Sequence, residues 1–259
     1  MRFGRTSRGP IATGRFTVII PTLQRSSLLR ELVSRLGDSP LVEEVLVVNN
    51  AEAPWTSPHP RCRVIDVGQN IFVNPAWNLG AQEASAPFLA IVNDDVLFDA
   101  GILRPIARRL GRGAGIIGPA PGCVRDIEAP PLRLPRRPVF VPTYERPYAF
   151  GTAMFMRRED YVPIPDDLKV WRGDDYLFRR QVRRNFMVLG IDVRTHMSTT
   201  SGDPAFDAIK DADMTAFHQH HAEDAYRLRF WKEFRVARLI GSAWTRGAQV
   251  VCRPVARHG

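Results

Sequence analysis

Short apolar runs of strand length alternate along this chain with segments whose apolar residues recur at helical spacing. Phe16-Thr-Val-Ile-Ile20 is apolar and β-branched and stops at Pro21-Thr22, which predicts a strand ending in a turn. Ser26 or Ser27 can cap the helix that follows, whose Leu28, Leu29, Leu32, Val33 and Leu36 share one face. Gly37-Asp38-Ser39-Pro40 ends it. Val45–Val48 predicts a second strand, closed by Asn49-Asn50, and Arg63–Val67 a third, closed by Gly68-Gln69-Asn70. Asn74-Pro75 reads as a helix start, with Asn as cap and Pro at the first position. Trp77, Leu79, Ala81 and Ala84 continue that helix. A fourth apolar run begins at Phe88 and ends in Asn93-Asp94-Asp95-Val96. A helix around Ile102–Leu110 and a short strand at Gly115–Gly118 come next.

Strands alternating with helices argue for an α/β fold, with a mostly parallel sheet covered on both faces. Ligands of such sheets bind outside the carboxyl ends of the strands. In this chain those ends carry Pro21-Thr22, Asn49-Asn50, Gly68 to Asn70 and Asn93 to Asp95. All are polar residues or turn formers expected on one rim. The paired carboxylates at Asp94-Asp95 are what a nucleotide-bound divalent metal would need there, because hard cations take oxygen ligands. A solvated turn is the plainer account of the same pair.

The pattern changes after Gly118. Residues 119–147 are rich in proline and arginine with little periodicity, which predicts a long loop over the site. Phe150–Met156 reads as a strand with small residues at its start. Trp171-Arg-Gly-Asp174-Asp175 leads into a helix carrying Tyr176, Leu177 and Phe178, and Phe186–Leu189 is a last short strand. From about Asp211 to Arg238 the chain reads as one long helix, mixing Tyr226, Leu228, Phe230, Trp231 and Phe234 with Arg227, Arg229, Lys232, Arg235 and Arg238.

Composition narrows the picture. With 44% hydrophobic and 24% charged residues, the 259-residue chain is an ordinary globular sequence. The net charge of +9, carried nearly all by arginine, points to an anionic partner. A basic proteome would produce the same bias. Three scattered cysteines, Cys62, Cys123 and Cys252, without a CxxC argue against a disulfide framework or a zinc site and fit a reducing cytosol. No signal-peptide core and no run of about 20 apolar residues is present, so a cytoplasmic protein is expected.

Taken together, these residues resemble a glycosyltransferase of the GT-A fold, similar to family 2 and, more narrowly, to its rhamnosyl- and galactofuranosyltransferase-like branch. The resemblance rests on Val18-Ile-Ile-Pro21-Thr22, Val47-Val48-Asn49-Asn50, Asn70 through Asn78-Leu79-Gly80, and Asn93-Asp94-Asp95-Val96. It continues through Gly151-Thr152-Ala153, Gly173-Asp174-Asp175, and His196 followed by Ser198 to Ser201. It implies a basic tail at 1–14, a catalytic domain at 15–201 and a helical extension at 202–259. Within the domain, 15–118 would bind the nucleotide-sugar and 119–201 the acceptor.

The resemblance also implies roles. Asp95 matches the last acid of the family's DXD motif and would hold Mn²⁺ or Mg²⁺ on the donor diphosphate, with His196 matching a later metal-binding histidine. Asn93 stands where the family often has Asp; it can accept from a ribose hydroxyl but carries no charge, so the metal would either bind less tightly or rely on Asp94 and His196. Pro21, Thr22 and Arg25 match the base-binding loop, Asn49 and Asn50 the second strand end, and Asn70 and Asn78 the segment near the donor. Asp174-Asp175 matches the acidic pair whose member deprotonates the acceptor hydroxyl. Asp175 is favoured over Asp174 as base, with Asp174 orienting acceptor or base. Helix capping by Asp174 is an alternative. Gly151, Thr152 and Trp171 fall on the acceptor side, although Trp171 suits a core position equally.

The implied activity is inverting transfer from a UDP-, dTDP- or GDP-linked sugar to a glycan or lipid-linked acceptor. The aromatic and basic residues of 222–245 would either touch the inner face of the membrane or pack on the catalytic core. The competing classes are a catalytically inactive nucleotide-binding protein of this fold and a basic nucleic-acid-binding module. The second leaves the acidic strand ends unexplained and lacks any nucleic-acid signature, so no nucleic-acid partner is expected.

Overall fold

Every residue of the first strand, β1 (Phe16–Thr22), is buried. Such a strand needs cover on both faces. The computed structural model describes residues 14–130, 132, 134–196, 207–220 and 225–237. In it β1 runs parallel to β2 (Val42–Asn49) on one side and to β4 (Phe88–Val92) on the other. Strand β3 (Cys62–Asp66) extends this parallel set beyond β2. Alternate β1 side chains serve the two faces. Val18 and Ile20 join the core under α1 (Leu29–Gly37) and α3 (Leu103–Gly111). Ile19 joins the opposite core with Trp77 of α2 (Val73–Glu83).

The second half of the sheet is mixed. Strand β9 (Ala153–Arg157) runs antiparallel to β4. Beyond it lie β6 (Ile117–Pro119), β10 (Phe186–Leu189) and β8 (Val139–Pro142). The full order is β3-β2-β1-β4-β9-β6-β10-β8. A second sheet of three short strands joins β5 (Val96–Phe98), β11 (Val193–Thr195) and β7 (Val124–Asp126) in the order β5-β11-β7. This is the α/β arrangement the alternating pattern predicts and the GT-A fold the resemblance implies, with parallel pairs among the N-terminal strands, at β6–β10 and, in the small sheet, at β7–β11.

Several local expectations are corrected. The stretch 119–147 is not all loop, because β7 and β8 form there and β8 closes the sheet edge against β10. Asn74 does not cap α2. The helix starts at Val73, and Asn74 is fully buried. Its amide reaches across to the carbonyls of Leu168 and Trp171. In the last helical region the described residues form α5 (Asp207–His220), α6 (Ala225–Arg229) and a helical stretch at 231–237, and residues 221–224 lie outside the described residues. α5 packs on residues 169–172, and Tyr226 and Phe230 pack on Phe178 and Tyr144 near the β8–β10 edge.

Candidate active site

The strand ends meet at the rim beyond β1, β2 and β4. The Thr22 hydroxyl donates to Asp94 Oδ2 at 2.5 Å, tying the end of β1 to the acids after β4. Burial and the neighbouring Asp95 push the Asp94 carboxyl up to about 6, against the opposing pull of the Thr22 hydroxyl. Asn50, almost fully buried, donates to the Phe72 carbonyl, while its Oδ1 is buried without a protein partner. An unsatisfied buried acceptor of this kind fits a ligand donor. Asn49 has a different part. Its amide donates to Ala53 O and to Asp66 Oδ1, and its Oδ1 accepts from Ala51 N and Gln24 Nε2. It ties β2, β3 and the following loop together, and Asp66 brings to this corner a carboxylate that the motif reading passed over. Pro21 is buried within β1, Arg25 is exposed on the turn after it, and exposed Asn70 accepts from Phe72 N. Asn78 is committed to fold. Its amide donates to Ile164 O, and its Oδ1 accepts from Ile164 N and the Tyr161 hydroxyl.

The small sheet joins the acidic corner to a distant histidine. Strands β5 and β11 are antiparallel, with Val96 opposite Thr195. Asp95 and His196 are therefore the next residues on the same end of that pair. Among the described residues, no three His, Cys, Asp or Glu side chains form a complete metal cage. The donor set nevertheless fits Mg²⁺ or Mn²⁺, which need only one or two carboxylates when substrate phosphates complete the shell. Burial and the charge of Asp95 both push the Asp94 carboxyl up, and a cation bound beside the two acids would relieve that repulsion.

A turn at 149–152 connects this corner to the second acidic pair. Asn93 N donates to Thr152 O at 3.1 Å, and the Thr152 hydroxyl donates to Ala149 O. Gly151 lies against Asp174, and a Cβ there would come within 2.7 Å of Asp174 Oδ2. Glycine is thus required for the close approach. Asp174 and Asp175 occupy the first turn of α4 (Gly173–Arg179), where the helix dipole favours negative charge. Asp174 Oδ1 accepts from Asp175 N, so it does act on the helix start. Burial pushes the Asp174 carboxyl up, although Arg146 pulls it down.

Two arginines clamp the pair, and sequence reasoning missed both. Arg146 Nη1 lies 3.2 Å from Asp174 Oδ2, and its Nε lies 2.9 Å from Asp175 Oδ1. The latter approach is off the N–H axis, so it is an ion pair rather than an aligned hydrogen bond. Arg172 Nη1 donates to Asp175 Oδ2 at 2.9 Å. Arg172 itself has φ 64° and ψ 3°, a left-handed conformation that costs a non-glycine residue about 1–2 kcal/mol. Trp171 is half-buried with Lys210 Nζ 5.6 Å from its ring centroid and its indole N–H unpartnered. The only hint of Arg146 in the sequence is its place in an arginine-rich stretch before Gly151.

The structure thus brings Thr22, Asn50, Asn93, Asp94 and Asp95 to one corner. The turn carrying Gly151 and Thr152 links that corner to Asp174 and Asp175. A model of the family described as Glycosyl transferase family 2 matches residues 17–162. No curated protein matches the chain in sequence. Solved structures share its fold at low identity. GalNAc-T7 with UDP, GalNAc and Mn²⁺ superposes with a TM-score of 0.56 at 12% identity, covering 85% of this chain and 54% of its own. S. aureus TarS 1-349 gives 0.53 at 15% identity over 82% of this chain and 68% of its own. The same TarS fragment in complex with UDP-GlcNAc gives 0.50 at 16% identity, covering 82% and 69%. The chain therefore spans about half the length of GalNAc-T7 and about two thirds of the TarS fragment. The family match covers more than half of the 259 residues and runs from β1 past β9, so the chain belongs to glycosyl transferase family 2 and is a glycosyltransferase of GT-A fold.

Proposed function

We propose that this glycosyltransferase moves a sugar from a nucleoside-diphosphate-sugar to an acceptor hydroxyl with inversion, in one in-line displacement. Asp175 is the base and Asp174 orients it. As the acceptor oxygen bonds to the anomeric carbon, Asp175 takes its proton, and the bond from that carbon to the diphosphate oxygen breaks. The observation that carries this reading is the 149–152 turn, which touches Asn93 on one side and Asp174 on the other. Donor-side and acceptor-side acids are thereby held across one short segment. Thr22, Asn50 and Asn93 line the donor corner, and Gly151, Thr152 and Trp171 the acceptor side. Both carboxylate oxygens of Asp175 face guanidinium groups, so acceptor binding must displace one of them.

Asp95 and His196, with Asp94 beside them, would hold Mn²⁺ or Mg²⁺, which would supply charge neutralisation for the departing diphosphate. The neighbours solved with UDP and Mn²⁺ or with UDP-GlcNAc favour a UDP-linked donor. A panel including UDP-galactofuranose, dTDP-rhamnose and GDP-mannose, scored by thermal stabilisation and nucleoside-diphosphate release with Mn²⁺, tests the class. Release should vanish on chelation and in Asp95→Ala and Asp175→Asn. Full activity in both variants would refute the site assignment.

The outer face of the C-terminal helices supports a further part of this proposal, in which the acceptor is met at an anionic membrane surface. Leu228, Trp231 and Val236 are exposed there among Arg227, Arg229, Lys232 and Arg235. No helix among the described residues is long and apolar enough to cross a membrane. Binding would therefore be peripheral, at the inner leaflet. Flotation with phosphatidylglycerol vesicles should fall in Trp231→Ala/Arg235→Ala, and unchanged flotation would overturn it.

A further inference from the structure

Asp213 is an aspartate in the middle of α5, fully buried. Aspartate is a poor helix-interior residue, and a buried carboxylate is costly unless it is well hydrogen-bonded. Its oxygens meet three successive backbone N–H groups of a segment 42 to 44 residues earlier in the chain. Oδ1 accepts from Lys169 N at 2.8 Å, and Oδ2 accepts from Val170 N at 2.7 Å and Trp171 N at 2.6 Å. Consecutive amides converging on one anion form a nest, and such charge-assisted bonds are short and strong.

The same segment is held from its other side by Asn74. The Asn74 backbone N–H donates to Lys169 O, and its side chain donates to Leu168 O and Trp171 O. One side chain takes the segment's donors and the other takes its acceptors. The grip continues one residue further. Arg172 Nε points at Met214 Sδ at 3.0 Å, and its guanidinium lies 5.5 Å from the Phe217 ring centroid. Gly173 follows, packed so closely on Asn74 that a Cβ would come within 2.0 Å of the Asn74 amide oxygen. Asp174 and Asp175 come immediately after.

We infer that Asp213 is a positioning residue for the acidic pair, acting through the 169–172 segment, and that α5 is therefore part of the catalytic unit. The inference rests on the proposed role of Asp174 and Asp175. Asp213 touches no reacting atom in this arrangement. It fixes the left-handed turn at Arg172 and so the direction in which the first turn of α4 presents its carboxylates.

The test is Asp213→Asn in the full-length chain, assayed beside Asp175→Asn for nucleoside-diphosphate release from the best donor of the panel above. Asparagine keeps the shape but turns an N–H₂ toward backbone N–H groups. The kcat should fall about 10²-fold, the scale of an ångström of misplacement, with donor KM within about twofold of wild type. A folded Asp213→Asn with wild-type kcat, or one whose loss lies wholly in donor KM, overturns the inference. If Asp175→Asn is inactive and Asp213→Asn is normal, only the positioning role fails. If Asp175→Asn is fully active, the base assignment fails instead, and a kcat loss in Asp213→Asn still places α5 in the catalytic unit. Hydrogen exchange on the wild-type protein needs no variant to fold. The amides of Lys169, Val170 and Trp171 should be protected as strongly as the centre of α5, and exchange at loop rates would overturn the inference.

Discussion

The two sides of the proposed site, the donor side at the strand ends and the acceptor side around Asp174 and Asp175, are built by opposite means. On the donor side, three parallel strands stop at a common rim, and the polar residues that follow them meet because the strands do. Asn49, Asn50, Thr22 and Asp94 bond mostly to one another's loops through neutral donors, with the Thr22 hydroxyl and a backbone N–H on the acid. On the acceptor side nothing is positioned by strand ends alone. Asp174 and Asp175 sit on a seven-residue helix. They are reached through a left-handed arginine and paired with Arg146 from one loop, and the segment before them is held by Asp213 from a helix beyond the family match. A sheet rim is a stable platform that tolerates modest local change. A clamped loop is a tuned object in which a single partner carries much of the geometry. The catalytic step should therefore be far more sensitive to substitution on the acceptor side than on the donor side.

The largest effect that would sharpen this contrast is Asp175→Asn, expected to lower kcat about 10²–10⁴-fold while leaving donor affinity measured by calorimetry unchanged. A comparable loss of donor binding would erase the distinction between the sides. Next comes Arg146→Met, which removes the cation facing both acids. The kcat should fall about tenfold or more with donor KM little changed, because the pair loses the cation that holds both carboxylates in place. A wild-type kcat would show that this clamp does not position the pair.

A smaller effect is one of stability. Burial raises the Asp174 carboxyl above its ordinary range. The folded chain then keeps a proton at pH values where the unfolded chain has released it. Its stability is highest below the ordinary carboxylate range and declines as pH rises through the raised folded value. Asp174→Asn should therefore melt above wild type at pH 8, with the gap closing toward pH 4. A variant that melts lower at pH 8 would mean that the Arg146 pair outweighs burial. The smallest expected change is Thr22→Val on the donor side, a loss of about threefold in donor affinity with little change in kcat, from the two hydrogen bonds of its hydroxyl, given to Asp94 and taken from Gln24 N. A collapse of kcat there would reverse the comparison.

The same division explains what the sequence could convey. Strands β1 to β4 and the buried face of α1 follow from apolar spacing, and the strand ends locate the polar corner of Thr22, Asn50 and Asp94 within a few residues. Each signal is local. The three-residue strands β5, β7 and β11 are too short to show a period, so the sheet that brings Asp95 alongside His196 leaves no trace in the pattern. Asn74 has the local signature of a cap, but a segment 94 to 97 residues later claims its side chain. Asn78 matches a family position, yet its amide is spent on Ile164 and Tyr161. Arg146 and Asp213 belong to no motif. Their meaning exists only after the chain has folded them onto Asp174, Asp175 and the segment before them. Residues 198–201, part of the resemblance, lie outside the described residues.

Tyr226 has a consequence for how the chain can be divided. Its buried hydroxyl donates to Thr143 O just beyond β8 and accepts from Asn185 N just before β10, at 2.8 Å each. One phenol thus closes the backbone where the last two strands of the sheet begin and end. A cut after residue 201 would strip this cover from an edge strand and leave two main-chain groups to water or to another chain's edge. The C-terminal helices are therefore not a detachable cassette. A chimera that swaps them between relatives must carry the matching strand ends with it, and the same linkage ties any gain of membrane affinity on the outer helix face to the integrity of the sheet.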